Sequence, residues 1–229
     1  MRASGLGVVA GMDEVGRGAL AGPVTVGLVA VTAATATAPR GLHDSKLLTS
    51  AERERLEPRI RRWAPAWAVA HAGNDEIDAW GILVALRVAG LRAFEALALS
   101  VEHVVLDGSY DWLTRPALPV RDLAGQDLAP PVRPSVQLVI KADQRCAAVA
   151  AASVLAKVAR DRMMVAHGQA DPRFGWVENK GYAAPEHAAA LREHGTCALH
   201  RRSWNLLGRS ARLTGQDVLM DIESELVRS

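Results

Sequence analysis

Apolar and polar positions follow two rhythms along this chain. Residues 7–13, "GVVAGMD", and 21–31, "AGPVTVGLVAV", are β-branched apolar runs on either side of a glycine-rich turn, and they predict two neighbouring strands. "AWAVAHAG" (66–73), "HVVLDG" (103–108) and "VQLVIKAD" (136–143) predict three more. Between them the period becomes helical. A charged stretch at 43–60 has Thr49 or Ser50 as its N-cap, residues 74–98 open on acidic side chains and carry a long apolar stripe, and 144–168 is rich in alanine. In that last segment Ala147, Ala148, Ala151, Ala152, Leu155 and Ala156 predict close packing of a helix on a sheet. Residues 109–135, rich in Pro, Asp and Gly, read as an exposed excursion. After Pro172 short helices and loops are expected, with a closing helix at 217–226. Strands alternating with helices point to an α/β core. The tract "TAATATA" is too short to divide domains, so the expectation is a single domain over 1–229, with a core at about 7–170 and a helical extension at about 171–229.

Composition narrows this picture only in part. An apolar content of 49% is enough for a sizeable core. The net charge of +2 does not by itself demand a polyanionic partner, so placement matters more than the sum. Cys146 and Cys197 form no CxxC pair and suit a reducing compartment. No signal-like segment opens the chain and no stretch reads as membrane-spanning, so a cytoplasmic location without membrane attachment is expected. Nothing calls for obligate oligomerisation, and a monomer is expected.

Candidate chemistry lies where three apolar strands each finish in an acid: Asp13, Asp107 and Asp143. Strand ends on one edge of an open sheet bring side chains from separate strands together. Carboxylates gathered there repel one another and call for a cation. Oxygen-only ligands favour Mg²⁺ or Mn²⁺ over Zn²⁺, and two such ions about 3.5–4 Å apart can drive phosphodiester hydrolysis. Glu14 follows Asp13 directly and, since neighbours on a strand point to opposite faces, shares the site only if the strand ends or bends there. Plainer readings exist for each acid alone. Asp107-Gly108 is an ordinary turn pair, and Asp143 is placed to cap the following helix.

The motifs "DEVGRG" after the first strand, "DSK" (44–46), "LDG" (106–108), "KAD" followed by "AAASVLAKVARD", then "GY" and "HRRSW" (200–204), resemble in order the type 2 ribonucleases H, and among them bacterial ribonuclease HII. The resemblance spans residues 8–205 and implies an RNase H-like fold: a mixed five-stranded sheet flanked by helices, with a helical C-terminal extension. It implies an endonuclease that cuts the RNA strand of RNA–DNA hybrids and nicks 5′ of ribonucleotides embedded in duplex DNA, with Asp13, Glu14, Asp107 and Asp143 as catalytic metal ligands for Mg²⁺ or Mn²⁺. Gly16, Arg17 and Gly18 would meet the ribose 2′-OH, Tyr182 would pack on the sugar, and Lys46 would bind substrate. Lys141, Arg201 and Arg202 are further phosphate candidates, and a replication-clamp contact is left open. Ala183 and Ala184 stand where the family commonly has Gly and Thr.

Several residues invite rival readings. A helix over 144–161 would place Asp161 about 27 Å along its axis from Asp143, so Asp161 is expected to be structural. His194, Cys197 and His200 lack a convincing fourth ligand for zinc, and Tyr110 is expected on the surface. Two rival functions remain: a non-catalytic nucleic-acid-binding module on the same fold, and another RNase H-like nuclease of the DNA resolvase or transposase type.

Overall fold

The structure, a computed structural model, describes residues 7–42, 48–114, 120–121, 127–128, 134–204 and 206. In chain order the elements are β1 (Val8–Val15), β2 (Val24–Thr32), α1 (Ser50–Trp63), β3 (Ala66–Ala72), α2 (Asn74–Trp80), α3 (Ile82–Leu97) and β4 (His103–Asp107). Then come β5 (Val120–Arg121), β6 (Asp127–Leu128), β7 (Ser135–Val139), α4 (Ala147–Ala170), α5 (Trp176–Asn179) and α6 (Pro185–His194). Five strands form one sheet in the order β3-β2-β1-β4-β7. β1 pairs antiparallel with β2 and parallel with β4, β2 and β3 are antiparallel, and β4 and β7 are parallel, which makes the sheet mixed.

Both faces of the central strands are covered, which is why they read as continuous apolar runs instead of alternating ones. On one face Ala10 and Met12 of β1 join Val26 and Leu28 of β2, Val104 and Leu106 of β4, and Leu86 and Ala89 of α3. On the other, Val29 packs with Ala151, Ala152, Leu155 and Val158 of α4 and with Leu56 and Ile60 of α1. Helix α4 sits unusually low. A Cβ on Gly11 would lie 2.3 Å from the Ala148 carbonyl carbon, and one on Gly27 would lie 2.2 Å from the Ala152 oxygen. The alanine stripe thus packs on the sheet as expected, except that Ala147 is exposed. Thr49 caps α1 and forms a reciprocal capping box with Glu52.

Three expectations are corrected. The predicted helix over 74–98 is two helices. Gly81, at φ 78° and ψ 164°, takes a backbone conformation that residues with a Cβ avoid, donates its N–H to Ile77 O at 2.8 Å to close α2, and starts α3 in a new direction. The excursion after β4 begins as core. Trp112 and Leu113 are buried against α3, and Gly90 supplies the space, since a Cβ there would lie 2.9 Å from the Trp112 ring. Tyr110 is half-buried against the same core, not on the surface. Further along, Phe174, Trp176 and Leu191 close over Leu20 and Ala21, so this C-terminal region holds the turn that follows β1. The helix expected at 217–226 lies outside the described residues.

Candidate active site

Two parallel strands in register deliver two of the acids. Met12 of β1 pairs with Leu106 of β4 at the end of their shared ladder, so the next residues, Asp13 and Asp107, stand side by side there. Asp107 ends β4, but Asp13 does not end its strand as expected, since β1 runs on to Val15 along β2. Val9 and Gly11 of β1 and Val105 of β4 face α4, and the period of two puts Asp13 and Asp107 on that face as well. The third acid arrives differently from expectation. β7 stops at Val139, Lys141 takes a left-handed conformation (φ 56°), and Asp143 sits in a single 3₁₀ turn, Ala142–Gln144. Asp143 therefore neither ends a strand nor caps α4, whose N-cap is Cys146.

Carboxylate oxygens of Asp13, Asp107 and Asp143 come within 4.8 Å of one another. Asp13 and Asp143 are only 5% and 4% exposed, so water can do little to screen their repulsion. Asp107 Oδ1 accepts the Ala142 N–H at 2.6 Å, which ties the 3₁₀ turn to β4. Asp13 Oδ1 accepts the Glu14 N–H at 2.8 Å, and the Ser153 side chain on α4 also bonds Asp13. Burial first, then the charge of Glu14, pushes the Asp13 carboxyl well above the usual range; Asp107 adds to the rise. An all-oxygen donor set, two-thirds buried and repelling itself, fits a hard divalent cation such as Mg²⁺ or Mn²⁺.

Glu14 stands at the margin. β1 neither ends nor bends after Asp13; it runs to Val15, paired with Thr25. Glu14 is outside the three-carboxylate group, and its Oε1 lies 3.8 Å from Arg17 Nη1.

The turn after β1 rests on two buried arginines. Arg160 of α4 donates to the carbonyls of Pro23 (2.9 Å), Ala21 (3.1 Å) and Lys180 (2.9 Å). Arg201 donates to those of Gly16 (2.6 Å), Arg17 (2.8 Å) and Gly22 (3.1 Å). Burial lowers both guanidinium pKa values; for Arg201, with Arg160 adding to the effect, it is lowered to about 9. Arg201 is thus a framework residue with no exposed surface, which corrects its reading as a phosphate contact. The two glycines of the turn differ. Gly16, at φ 86°, lies so close to Arg160 that a Cβ would meet its Nε at 2.1 Å, whereas Gly18 faces open space. Tyr182 leans over this turn, its hydroxyl accepting the Gly16 N–H at 3.0 Å and its ring 5.1 Å from the Arg160 guanidinium.

The other candidates fall as follows. Arg202 is exposed, and its N–H bonds Asp78 at 2.9 Å. Lys141 is exposed beside the acids. Lys46 lies outside the described residues. Asp161 is structural, as expected, pairing with Lys157 at 2.7 Å and Arg53 at 3.5 Å. Ala183 and Ala184 are half-buried, and Ala184 caps α6 without a side-chain bond. Sequence reasoning missed Ser153 and Arg160. The signal was present, since Ser153, Lys157 and Arg160 are polar at i, i+4 and i+7 in an alanine-rich helix, a stripe that proves to face the site.

A mixed five-stranded sheet with a carboxylate cluster where the parallel pairing of its central strands runs out, and a helix laid across it, defines the RNase H-like class of metal-dependent nuclease folds. Comparison narrows the class: the family model described as Ribonuclease HII matches residues 10–207. Ribonuclease HII of Streptomyces avermitilis is 46% identical over 204 residues, 89% of this chain and 79% of that protein. Among solved structures, ribonuclease H2 from Pyrococcus horikoshii aligns with a TM-score of 0.66 at 23% identity, over 94% of this chain and 99% of that one. The RNase HII of the PCNA:RNase HII complex from Archaeoglobus fulgidus aligns with a TM-score of 0.64 at 25% identity, over 91% and 99%. The chain belongs to the Ribonuclease HII family, the type 2 ribonuclease H endonucleases. Among the described residues no helix is long and apolar enough to cross a membrane.

Proposed function

We propose that the protein hydrolyses the RNA strand of RNA–DNA hybrids and nicks duplex DNA on the 5′ side of embedded ribonucleotides, leaving 3′-hydroxyl and 5′-phosphate ends. The observation that carries this reading is the Asp13, Asp107 and Asp143 cluster set beside a glycine-rich turn under Tyr182. Those three acids would hold the metal, with Glu14 contributing from the margin. Bound there, a pair of Mg²⁺ or Mn²⁺ ions supplies an activated water and neutralises charge on the leaving 3′-oxygen.

The chain's own part is recognition. Gly18 offers bare backbone to a sugar, and the 2′-OH, both donor and acceptor, distinguishes RNA from DNA. Arg201 and Arg160 fix the turn from below, so its outer surface keeps one shape. The Tyr182 ring, with Lys157 Nζ 5.6 Å from its centre, forms the opposite wall. Lys46 and Lys141 are proposed to contact phosphate. A clamp contact would follow the Archaeoglobus fulgidus relative, which was solved with PCNA; the C-terminal residues 207–229 lie outside the described residues.

The test is a labelled DNA duplex with one ribonucleotide, beside an all-DNA junction and a continuous hybrid, with and without Mg²⁺ or Mn²⁺. A metal-dependent nick 5′ of the ribonucleotide is expected. No nick under any metal condition would leave a binding module, and cleavage of the all-DNA junction would select a resolvase-type nuclease.

A further inference from the structure

Beneath Tyr182 lies a chain of hydrogen bonds that uses none of the acids. The Cys197 N–H donates to His200 Nδ1 at 3.0 Å, His200 Nε2 lies 3.1 Å from His187 Nε2, and His187 Nδ1 lies 2.9 Å from the Tyr182 carbonyl oxygen. Trp176 Nε1–H also donates to His187 Nε2, at 3.2 Å. Both imidazoles are fully buried.

Donor and acceptor roles assign the ring protons of this chain; the Cys197 Sγ, 3.2 Å from the same His200 Nδ1, can add a weak donor to it. A backbone N–H and an indole N–H can only donate, so His200 Nδ1 and His187 Nε2 must both be bare. His200 then carries its proton on Nε2 and shares the single lone pair of His187 Nε2 with the Trp176 N–H in a three-centre bond. His187 carries its own on Nδ1 and gives it to the Tyr182 carbonyl, which can only accept. No bond can reverse without orphaning a buried group. Burial lowers the pKa of both rings, that of His200 to about 4, in keeping with two neutral imidazoles.

The relay closes a ring of hydrogen bonds that takes in Tyr182 and the turn after β1. His200 bridges Ala21, and the next residue, Arg201, donates its N–H to Leu20 O at 3.0 Å while its guanidinium holds the Gly16 and Arg17 carbonyls. Gly16 in turn donates to the Tyr182 hydroxyl. The geometry points to His187 and His200 as positioning residues that set Tyr182 against the Gly16–Gly18 turn, so that the gap between the two walls admits a ribose in one orientation. This rests on the proposed reading of Tyr182 and the turn as the ribose pocket.

The test separates positioning from packing. His187→Asn keeps a side-chain N–H near the Nδ1 position, aimed at the Tyr182 carbonyl. His187→Gln puts its polar group at the Nε2 end and leaves that carbonyl without a donor. Both variants are expected to melt below the parent protein. The Asn variant should keep kcat on the single-ribonucleotide duplex within about threefold, while the Gln variant loses about tenfold, the worth of one buried hydrogen bond. Equal losses that track melting temperature, or no loss in the Gln variant, would overturn the proposal. Should neither variant fold, nitrogen-15 NMR of the unaltered protein at neutral pH must show His187 protonated at Nδ1 and His200 at Nε2, and any other pattern overturns it. Failure of the unaltered protein to nick the duplex would count against the functional reading alone, because the tautomers are read without substrate.

Discussion

Adjacent arginines in "HRRSW" make opposite predictions. Arg201 is buried and donates to Gly16, Arg17 and Gly22 carbonyls at 2.6 to 3.1 Å; Arg202 is exposed and is held through its backbone N–H. Replacing Arg201 by Lys keeps the charge but not the planar fork, and an ammonium at the end of a linear chain cannot span Gly16 and Gly22 together. Hydrogen bonds from a charged donor contribute about 1.5–3 kcal/mol each. Losing the equivalent of one to two of them, with partial rescue by the ammonium, gives a destabilisation of about 3 kcal/mol. In a chain of this size that corresponds to a fall in melting temperature of about 6–12 °C. Arg202→Lys should stay within about 0.5 kcal/mol of the parent. Thermal unfolding of the two variants side by side, with cleavage of the single-ribonucleotide duplex measured well below either melting temperature, reads both effects. Folded Arg201→Lys protein should also cut more slowly, because the carbonyls of the turn lose their anchor. An Arg201→Lys protein that melts with the parent would refute the claim that this guanidinium holds the turn.

Asp13→Asn and Asp107→Asn are expected to abolish cleavage while leaving duplex binding largely intact, and a gel-shift assay alongside the nicking assay distinguishes the two. In metal-free buffer the raised carboxyl of Asp13 makes a signed contribution. Between the ordinary carboxylate pKa and the raised one the folded state holds a proton that the unfolded chain has lost, so this contribution is full below the ordinary value and disappears as pH rises through the raised one. Urea unfolding in EDTA at stepped pH should show that decline, Asp13→Asn should flatten it, and Mg²⁺ should offset it near neutrality. Gly16→Ala should destabilise the fold, since it combines φ 86° with a Cβ set against Arg160, whereas Gly18→Ala should melt normally and yet lose discrimination for the ribonucleotide in the nicking assay.

What could be read from the sequence follows a physical divide. Asp107 was legible because its apolar run does end there and β4 with it. Asp13 was legible as a site residue, but its run carries on as strand to Val15, because the sequence does not show that β2 keeps pairing with β1 beyond the acid. Asp143 was legible as a site residue but not in its setting. "VQLVIKAD" stays apolar through Ile140, which is 66% exposed, so the pattern alone could not show that the strand ends at Val139. Gly81 was hidden inside a continuous helical stripe, because hydrophobic period does not report a backbone angle. Arg201 and Arg160 were the least legible. Their partners are carbonyls up to 185 positions away, and nothing in the local sequence marks an arginine whose charge is met by main-chain oxygens. The His187–His200 pair hid for the same reason: its meaning depends on which nitrogen faces which donor.

The underside of the turn after β1 carries a consequence for any anion that approaches from above. Every hydrogen bond that Arg160 and Arg201 make among the described residues goes to a main-chain carbonyl, so the negative ends of those peptide dipoles are turned inward onto two fixed cations. In the Gly16–Arg17 and Arg17–Gly18 peptides, whose oxygens meet Arg201, the N–H groups of Arg17 and Gly18 point the opposite way, whereas the N–H groups of Gly22 and Gly181 are taken by Leu199 O and Asn179 Oδ1. The Gly16–Gly18 stretch is therefore polarised before any ligand arrives, with two fixed positive charges behind it, and under the proposed reading this is the stretch a sugar–phosphate backbone would meet.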